Sequence, residues 1–431
     1  MRAKRGPAIV NRLGGRSLKN LLKKGSILIL LGTGGVGKTT VAAALGVAAA
    51  TEALDTAVIT VDPARRLRDA LGLAHLGGKP TPIGPKQLRA AGIVGAHRLA
   101  AMMLDVKGAW DAVLERFVTD RASLKRILDN PFYQSLSAEF AGSEAFAALQ
   151  QLYDLHQERK FEFEVVDTPP AAQAFEFLEA PARMIRLLDS RAARWLFTPS
   201  LAAGRIAAKF ASEAARFVVR ELERVAGSNV LTTIADFFAA AAESVDAIVD
   251  RMHKTEALLR SPAVKFVMVT TAEPDRLRQA EDLVDEMERD GLKLAAIVIN
   301  RFLDEQTWLN AASESDPLRH LREVSQIRSS IQSNAEGAGA AALARHLEDY
   351  RDRTLGEIAR VVAFRAALPA RIALAFAPEL EIGVGDMAAL GRVARCLIAG
   401  PGVLRPFETA ATRFGGRAHA SAAAHREFTP S

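Results

Sequence analysis

Cysteine is almost missing from this 431-residue chain: Cys396 stands alone. One thiol excludes an intramolecular disulfide, a zinc site built on cysteines and an iron–sulfur cluster held by the thiolates of one chain. It suits a reducing compartment, so the expected location is the cytoplasm. The eight histidines are scattered and show no H-E-x-x-H or comparable ligand spacing. No apolar run reaches the roughly 18 residues that a membrane-spanning helix needs. Acidic residues are absent from positions 1–24, which hold Arg2, Lys4, Arg5, Arg12, Arg16, Lys19, Lys23 and Lys24.

That last absence decides how the charge is read. The net charge is +6, and without the eight basic residues of this arm the remainder stands at −2. The basicity therefore belongs to a terminal arm, not to a nucleic-acid-binding body, and no nucleic-acid partner is expected. The arm admits three readings: a contact for nucleic acid or anionic lipid, a mitochondrial-type presequence, or a solvated tail leading into the first strand. The last is preferred. The arm lacks the apolar core of a secretory signal.

What is present is ordinary globular composition, 49% hydrophobic and 25% charged, in a chain long enough to bury a large core. Short apolar runs bounded by breakers predict strands at 27–31, 57–61, 99–104, 163–166, 264–269, 294–299 and 371–376. Several are apolar on both faces, as buried parallel strands are. Helical patterns separate them, which predicts an α/β fold with a mostly parallel sheet flanked by helices. Two stretches exceed a simple crossover and read as helical insertions, 107–157 and 181–260. In the second, Ile206, Phe210, Ala214, Phe217 and Val225 fall at helical spacing, as do Val245, Ile248, Val249 and Met252. These stripes are read as core. Residues 408–431 carry little apolar pattern and read as a disordered tail.

The first predicted strand runs into Gly32-Thr33-Gly34-Gly35-Val36-Gly37-Lys38-Thr39-Thr40, followed by the Ala-rich stretch 41–50. Strand, glycine loop, Lys-Thr, helix is a phosphate loop. Gly34, Gly35, Val36, Gly37, Lys38, Thr39 and Thr40 are the expected nucleotide contacts. Glycines let consecutive N–H groups converge on an anion at a helix N-terminus. Lys38 is expected at the β/γ-phosphates and Thr39 on Mg²⁺. A rival reading exists, because Gly32, Gly34 and Gly37 also fit G-x-G-x-x-G, with Asp62 as a ribose-binding acid. Lys38-Thr39 favours the triphosphate, since a dinucleotide fingerprint requires neither.

Two acids close predicted strands. Asp62, before Pro63, can orient or deprotonate an attacking water, or can cap the helix that Pro63 opens. Asp167, in Val166-Asp167-Thr168-Pro169-Pro170, is placed to hold Mg²⁺; its alternative is an Asx turn. Asn300 ends a further strand, where an amide can pair with a purine edge or simply form a turn.

Together these residues resemble the ArsA family, which includes arsenical pump-driving ATPases and the eukaryotic ATPase that targets tail-anchored membrane proteins. The likeness rests on the loop, on Asp62-Pro-Ala, on Asp167-Thr-Pro-Pro and on Val-Ile-Asn300-Arg. It is nearest to bacterial single-domain members, through Asp-Pro-Ala-Arg-Arg-Leu at 62–67, Met-Met-Leu-Asp at 102–105, Ile-Leu-Asp-Asn-Pro-Phe-Tyr at 127–133, Ala-Gly-Ser-Glu at 141–144 and Ala-Glu-Pro-Asp at 272–275. It covers roughly 25–400, so the expected organisation is a basic arm (1–24), one P-loop ATPase domain (25–407) and a tail (408–431).

The resemblance implies a deviant Walker A ATPase using ATP and Mg²⁺, with nucleotide at a dimer interface. It implies Asp62 as the water-activating residue, Asp167 as the switch acid and metal ligand, and Asn300 at the adenine with Pro378 and Glu379 nearby. Asp62 joins Thr39 and Asp167 in the expected metal set. Three departures are visible. Thr33 stands where the family carries a signature lysine that reaches across the dimer. The arsenite-binding cysteines are absent, and so is the cysteine pair that would hold interfacial zinc. The implied partners are a second copy, or a lysine-bearing paralogue for which this chain is a slow or regulatory half, and an unidentified protein client, with a site peripheral to the membrane as a further expectation. A DNA-partition or membrane-positioning ATPase is the less favoured alternative.

Overall fold

In the computed structural model, the described residues are 18–61, 66–94, 97–131, 143–169, 178–186, 240–303, 319–334, 338–380 and 386–398, with positions 133, 134, 137, 233, 236 and 237 between them. Asp62, most of the arm, the tail and the stripe from Ile206 to Val225 lie outside these residues.

Eight strands form one sheet in the order β3-β4-β2-β5-β1-β6-β7-β8. They are β1 (Ser26–Leu31), β2 (Thr56–Thr60), β3 (Thr81–Pro82), β4 (Leu99–Met103), β5 (Phe163–Asp167), β6 (Val264–Thr270), β7 (Leu294–Ile299) and β8 (Ala373–Phe376). Every pairing is parallel except β3 with β4. The seven expected strands are all present. The additional β3 is two residues long and ends in proline, which can serve only an edge.

Alternation along β1 explains the layers. Ile27, Ile29 and Leu31 enter one hydrophobic cluster, and Leu28 and Leu30 the other. Opposite faces of a strand thus feed two cores. The second core is built on α1 (Lys38–Thr51), with α2 (Arg66–Ala70), α3 (Pro85–Ala90) and α11 (Met387–Ile398) beside it. Eleven of the fourteen residues of α1 are buried, so this helix is enclosed on nearly all sides, and its alanines permit that. At Gly46 a Cβ would lie 2.2 Å from Val58 Cγ2, so the helix rests directly on β2.

The first core takes α4 (Val106–Phe117), α5 (Arg121–Leu128), α6 (Ser143–Gln157), α7 (Val245–Arg260), α8 (Pro274–Arg289) and part of α10 (Ala338–Ala367). Helix α9 (Arg319–Asn334) runs beside α10. Helices α4–α6 form the first predicted insertion, and α7 closes the second with Ile248 and Met252 buried. Asp105 caps α4 by accepting from Gly108 N, and Asp120 caps α5 through Ala122 N and Ser123 N. Among the described residues, no helix is long and apolar enough to cross a membrane.

The last residues of the basic arm pack on this body. Leu18 and Leu22 are buried in the second core, while Lys19 pairs with Glu52 and Lys24 with Glu162.

Candidate nucleotide site

The sheet order places β1 at the centre, with β5 on one side and β6 on the other. The chain moves one way from β1 to β2 and the other way to β6, so the crevice beside β1 is where an open α/β sheet binds ligands. Residues Leu30 and Asp167 are register partners, as are Thr60 and Asp167. Three strand ends are thereby level under the loop 32–37.

The loop is wrapped around its own lysine. Lys38 is only 9% exposed. Its Nζ donates to the carbonyls of Gly32 (3.0 Å) and Thr33 (3.3 Å). Gly37 opens α1 at φ +87°, and a Cβ there would lie 2.2 Å from Asn300 Nδ2. The sequence needs glycine at this position for both reasons.

Thr39 Oγ1 donates to Asp167 Oδ2 at 2.6 Å, and Thr60 Oγ1 donates to the same oxygen at 3.3 Å. Asp167 is 1% exposed. A hydroxyl and a carboxylate in contact at a helix N-terminus are hard-oxygen groups of the kind that could hold Mg²⁺. Among the described residues no group of three or more His, Cys, Asp or Glu could hold a metal. Thr168 Oγ1 donates to Leu30 O at 2.5 Å, fixing the start of the turn after β5.

Above the loop lies a cavity of about 370 Å³. Gly34, Gly35, Gly37, Lys38, Thr39 and Thr40 form its floor. Arg66, Asp69, Ala70 and Thr168 line it elsewhere, and so does Arg301 from the end of β7. A volume in this range suits a small organic ligand. Three cations on a wall of backbone amides suit an anionic one.

The expected residues are distributed as follows. The loop residues and Asp167 converge. Val36 is buried and is not among the residues that line the cavity; its carbonyl accepts from Asn300 Nδ2 at 2.8 Å. Asn300, 6% exposed, thus braces the loop from below with the amide that a purine contact would use. Pro378 and Glu379 flank the turn after β7, where Glu379 N donates to Leu303 O at 2.8 Å. Arg301 forms the cavity wall at that turn.

Two features were not assigned a role from sequence. One is Arg301. The other is Arg276 in the first turn of α8, whose Nη1 donates to Thr33 Oγ1 at 3.1 Å and to Gln279 Oε1 at 3.2 Å. Thr33 is therefore held from two sides, its carbonyl by Lys38 and its hydroxyl by Arg276. The signal available was only an arginine three residues into a helix after a strand, which is common.

The model of the anion-transporting ATPase family (ArsA) matches residues 26–326. Curated relatives are distant. A Halobacterium salinarum protein described as an arsenical pump-driving ATPase is 29% identical over 166 residues, 38% of this chain and 24% of that protein. ATPase ASNA1 homolog 2 of Paramecium tetraurelia is 28% identical over 179 residues, 40% of this chain and 50% of the relative. ATPase get3 of Schizosaccharomyces japonicus is 25% identical over 295 residues, 67% of this chain and 78% of the relative. The aligned part thus spans half or less of the first two relatives. The family match covers every residue that lines the cavity, from Gly34 to Arg301, and the chain belongs to the anion-transporting ATPase family.

Proposed function

We propose that the chain binds Mg·ATP in the cavity above residues 34–40 and hydrolyses it, and that two copies close on the nucleotide. The observation that carries this reading is the Thr39–Asp167 contact beside Lys38. Lys38 and Thr39 open α1, and Asp167, the last residue of β5, meets the Thr39 hydroxyl there, which supports a phosphate site beside a metal site.

Each group has a role in its own chemistry. Lys38 exchanges two loop carbonyls for phosphate oxygens, a charge-assisted and stronger contact. Thr39 and Asp167 would hold Mg²⁺, which when bound would supply charge neutralisation to the phosphates. The amides of the loop stabilise charge that develops in the transition state. Asp62, two residues after β2 in sequence, is proposed as the residue that orients the attacking water. Arg66 lines the cavity from this chain itself, and it supplies a cation where Thr33 offers none. Asn300, Pro378 and Glu379 are proposed to border the nucleoside. The work coupled to closure is proposed to be a conformational change passed to a protein client or membrane partner by the helices of the two insertions.

Phosphate release from Mg·ATP tests the reading. Lys38→Ala and Asp167→Asn should each lower turnover by about a hundredfold or more. A purified wild-type chain that releases phosphate no faster than Lys38→Ala would remove the hydrolytic assignment. If such a chain still binds Mg·ADP, the alternative of a regulatory half completed by a lysine-bearing paralogue takes its place.

A further inference from the structure

The turn after β7 is made of residues that ordinarily avoid its backbone. Arg301 (φ 53°) and Leu303 (φ 62°) are both left-handed and neither is glycine. Such positions persist only where their surroundings over-determine them, and they gather at ligand sites.

Here the surroundings are explicit. Asn300 N donates to Thr270 O (2.7 Å), Phe302 N to Ala377 O (2.9 Å) and Glu379 N to Leu303 O (2.8 Å). The Phe302 ring, fully buried, packs on Phe376 with centroids 4.9 Å apart. The Asn300 side chain ties the same turn to the Val36 carbonyl of the phosphate loop. The turn is pinned to β6, to the chain after β8 and to the loop at once.

What this anchored turn presents is one exposed guanidinium. Arg301 lines the cavity, and among the described residues no hydrogen bond or ion pair engages its side chain. A rigid support under an uncommitted side chain is preorganisation for a ligand.

The sheet order says which part of the ligand. Asp167 ends β5 and Arg301 follows β7, with β1 and β6 between them. Three inter-strand steps are about 14 Å. On the proposed reading the phosphates would lie beside Lys38 and Thr39, so Arg301 stands at the other end, where the nucleoside would emerge. There a planar guanidinium meets a planar base, and face-to-face stacking needs no edge pattern.

We propose that Arg301 is a nucleotide-binding residue whose guanidinium stacks on the base of the bound nucleotide and holds it without selecting its identity. The inference rests on the cavity being a nucleotide site.

Calorimetric titration with Mg·ADP, Mg·GDP and Mg·pyrophosphate tests it on the full chain. Arg301→Gly is the chosen variant, because glycine accepts φ 53° and the fold is preserved or strengthened. Affinity for ADP and for GDP should each fall about tenfold, while pyrophosphate affinity stays unchanged. Arg301→Lys keeps the charge and loses the planar face, so it should not restore ADP binding. Equal ADP affinity in wild type and Arg301→Gly would overturn the proposal. So would an equal loss for ADP and pyrophosphate, or full rescue by lysine, since either makes Arg301 a phosphate contact. A wild-type chain that binds neither ADP nor pyrophosphate would overturn the nucleotide reading itself, and this proposal with it.

Discussion

At the scale of single residues, the site depends on a close approach between Gly37 and Asn300. A Cβ at position 37 would lie 2.2 Å from Asn300 Nδ2, at a backbone φ of +87°. Gly37→Ala is therefore expected to lose nucleotide binding and to destabilise the fold by about 1–3 kcal/mol, through strain at a left-handed position and displacement of a buried amide. The double variant Gly37→Ala/Asn300→Ala should recover part of the loss, because the steric conflict is gone and only the φ strain remains. Urea unfolding of the two single variants and the double variant measures that coupling. Strict additivity would mean that the two residues do not meet in solution. Gly34 makes the useful contrast: nothing lies within 4 Å of a Cβ there, so Gly34→Ala should leave the melting temperature unchanged.

At the scale of elements, the strands were readable because a parallel strand buried on both faces is a run dominated by apolar residues. All six residues of β1 are buried, and all five of β2 and of β5. β3 was not readable, since two residues of edge pairing leave no periodicity. The loop could be recognised from sequence because its chemistry is local: lysine, threonine and glycines are consecutive. Arg276 and Arg301 could not be, because their neighbours are assigned by sheet order: Thr33 and Arg276 are joined only when β6 lies beside β1.

The contact between the consecutive elements α6 and β5 was not legible either: His156 Nδ1 meets Glu164 Oε2 at 2.9 Å. The hydrogen bond to Glu164 raises His156 above its ordinary value of 6.5, against an opposing effect of burial. Burial raises Glu164 above its ordinary 4.5, outweighing the histidine. Both groups bind protons more tightly folded than unfolded, so both contributions are complete below the unfolded pKa values and are lost as pH rises through the folded ones. For His156 that loss falls above pH 6.5. Relative to His156→Gln/Glu164→Gln, which titrates at neither position, the wild type should therefore lose stability between pH 6 and pH 9. Parallel urea midpoints across that interval would disprove the pairing.

At the scale of the whole molecule, the question is what one chain can do by itself. Among the described residues, the cations around the cavity are Lys38, Arg66 and Arg301, all from this chain. Thr33 carries no charge, and its hydroxyl is engaged by Arg276, so position 33 has no cation to offer a second copy. The proposed closure of two chains on nucleotide would then act through geometry, by excluding water and fixing the loops, rather than by exchange of a lysine from position 33. Two consequences follow for turnover. Specific activity should rise with protein concentration and level off once the paired form dominates. Adding excess Lys38→Ala to a limiting amount of wild type should lower the wild-type rate, because mixed pairs that cannot bind phosphate at one site do not close. A rate per chain that is constant over a hundredfold range of concentration, and indifferent to the added variant, would instead mean that Lys38 and Arg66 supply the cations at the phosphates within a single chain.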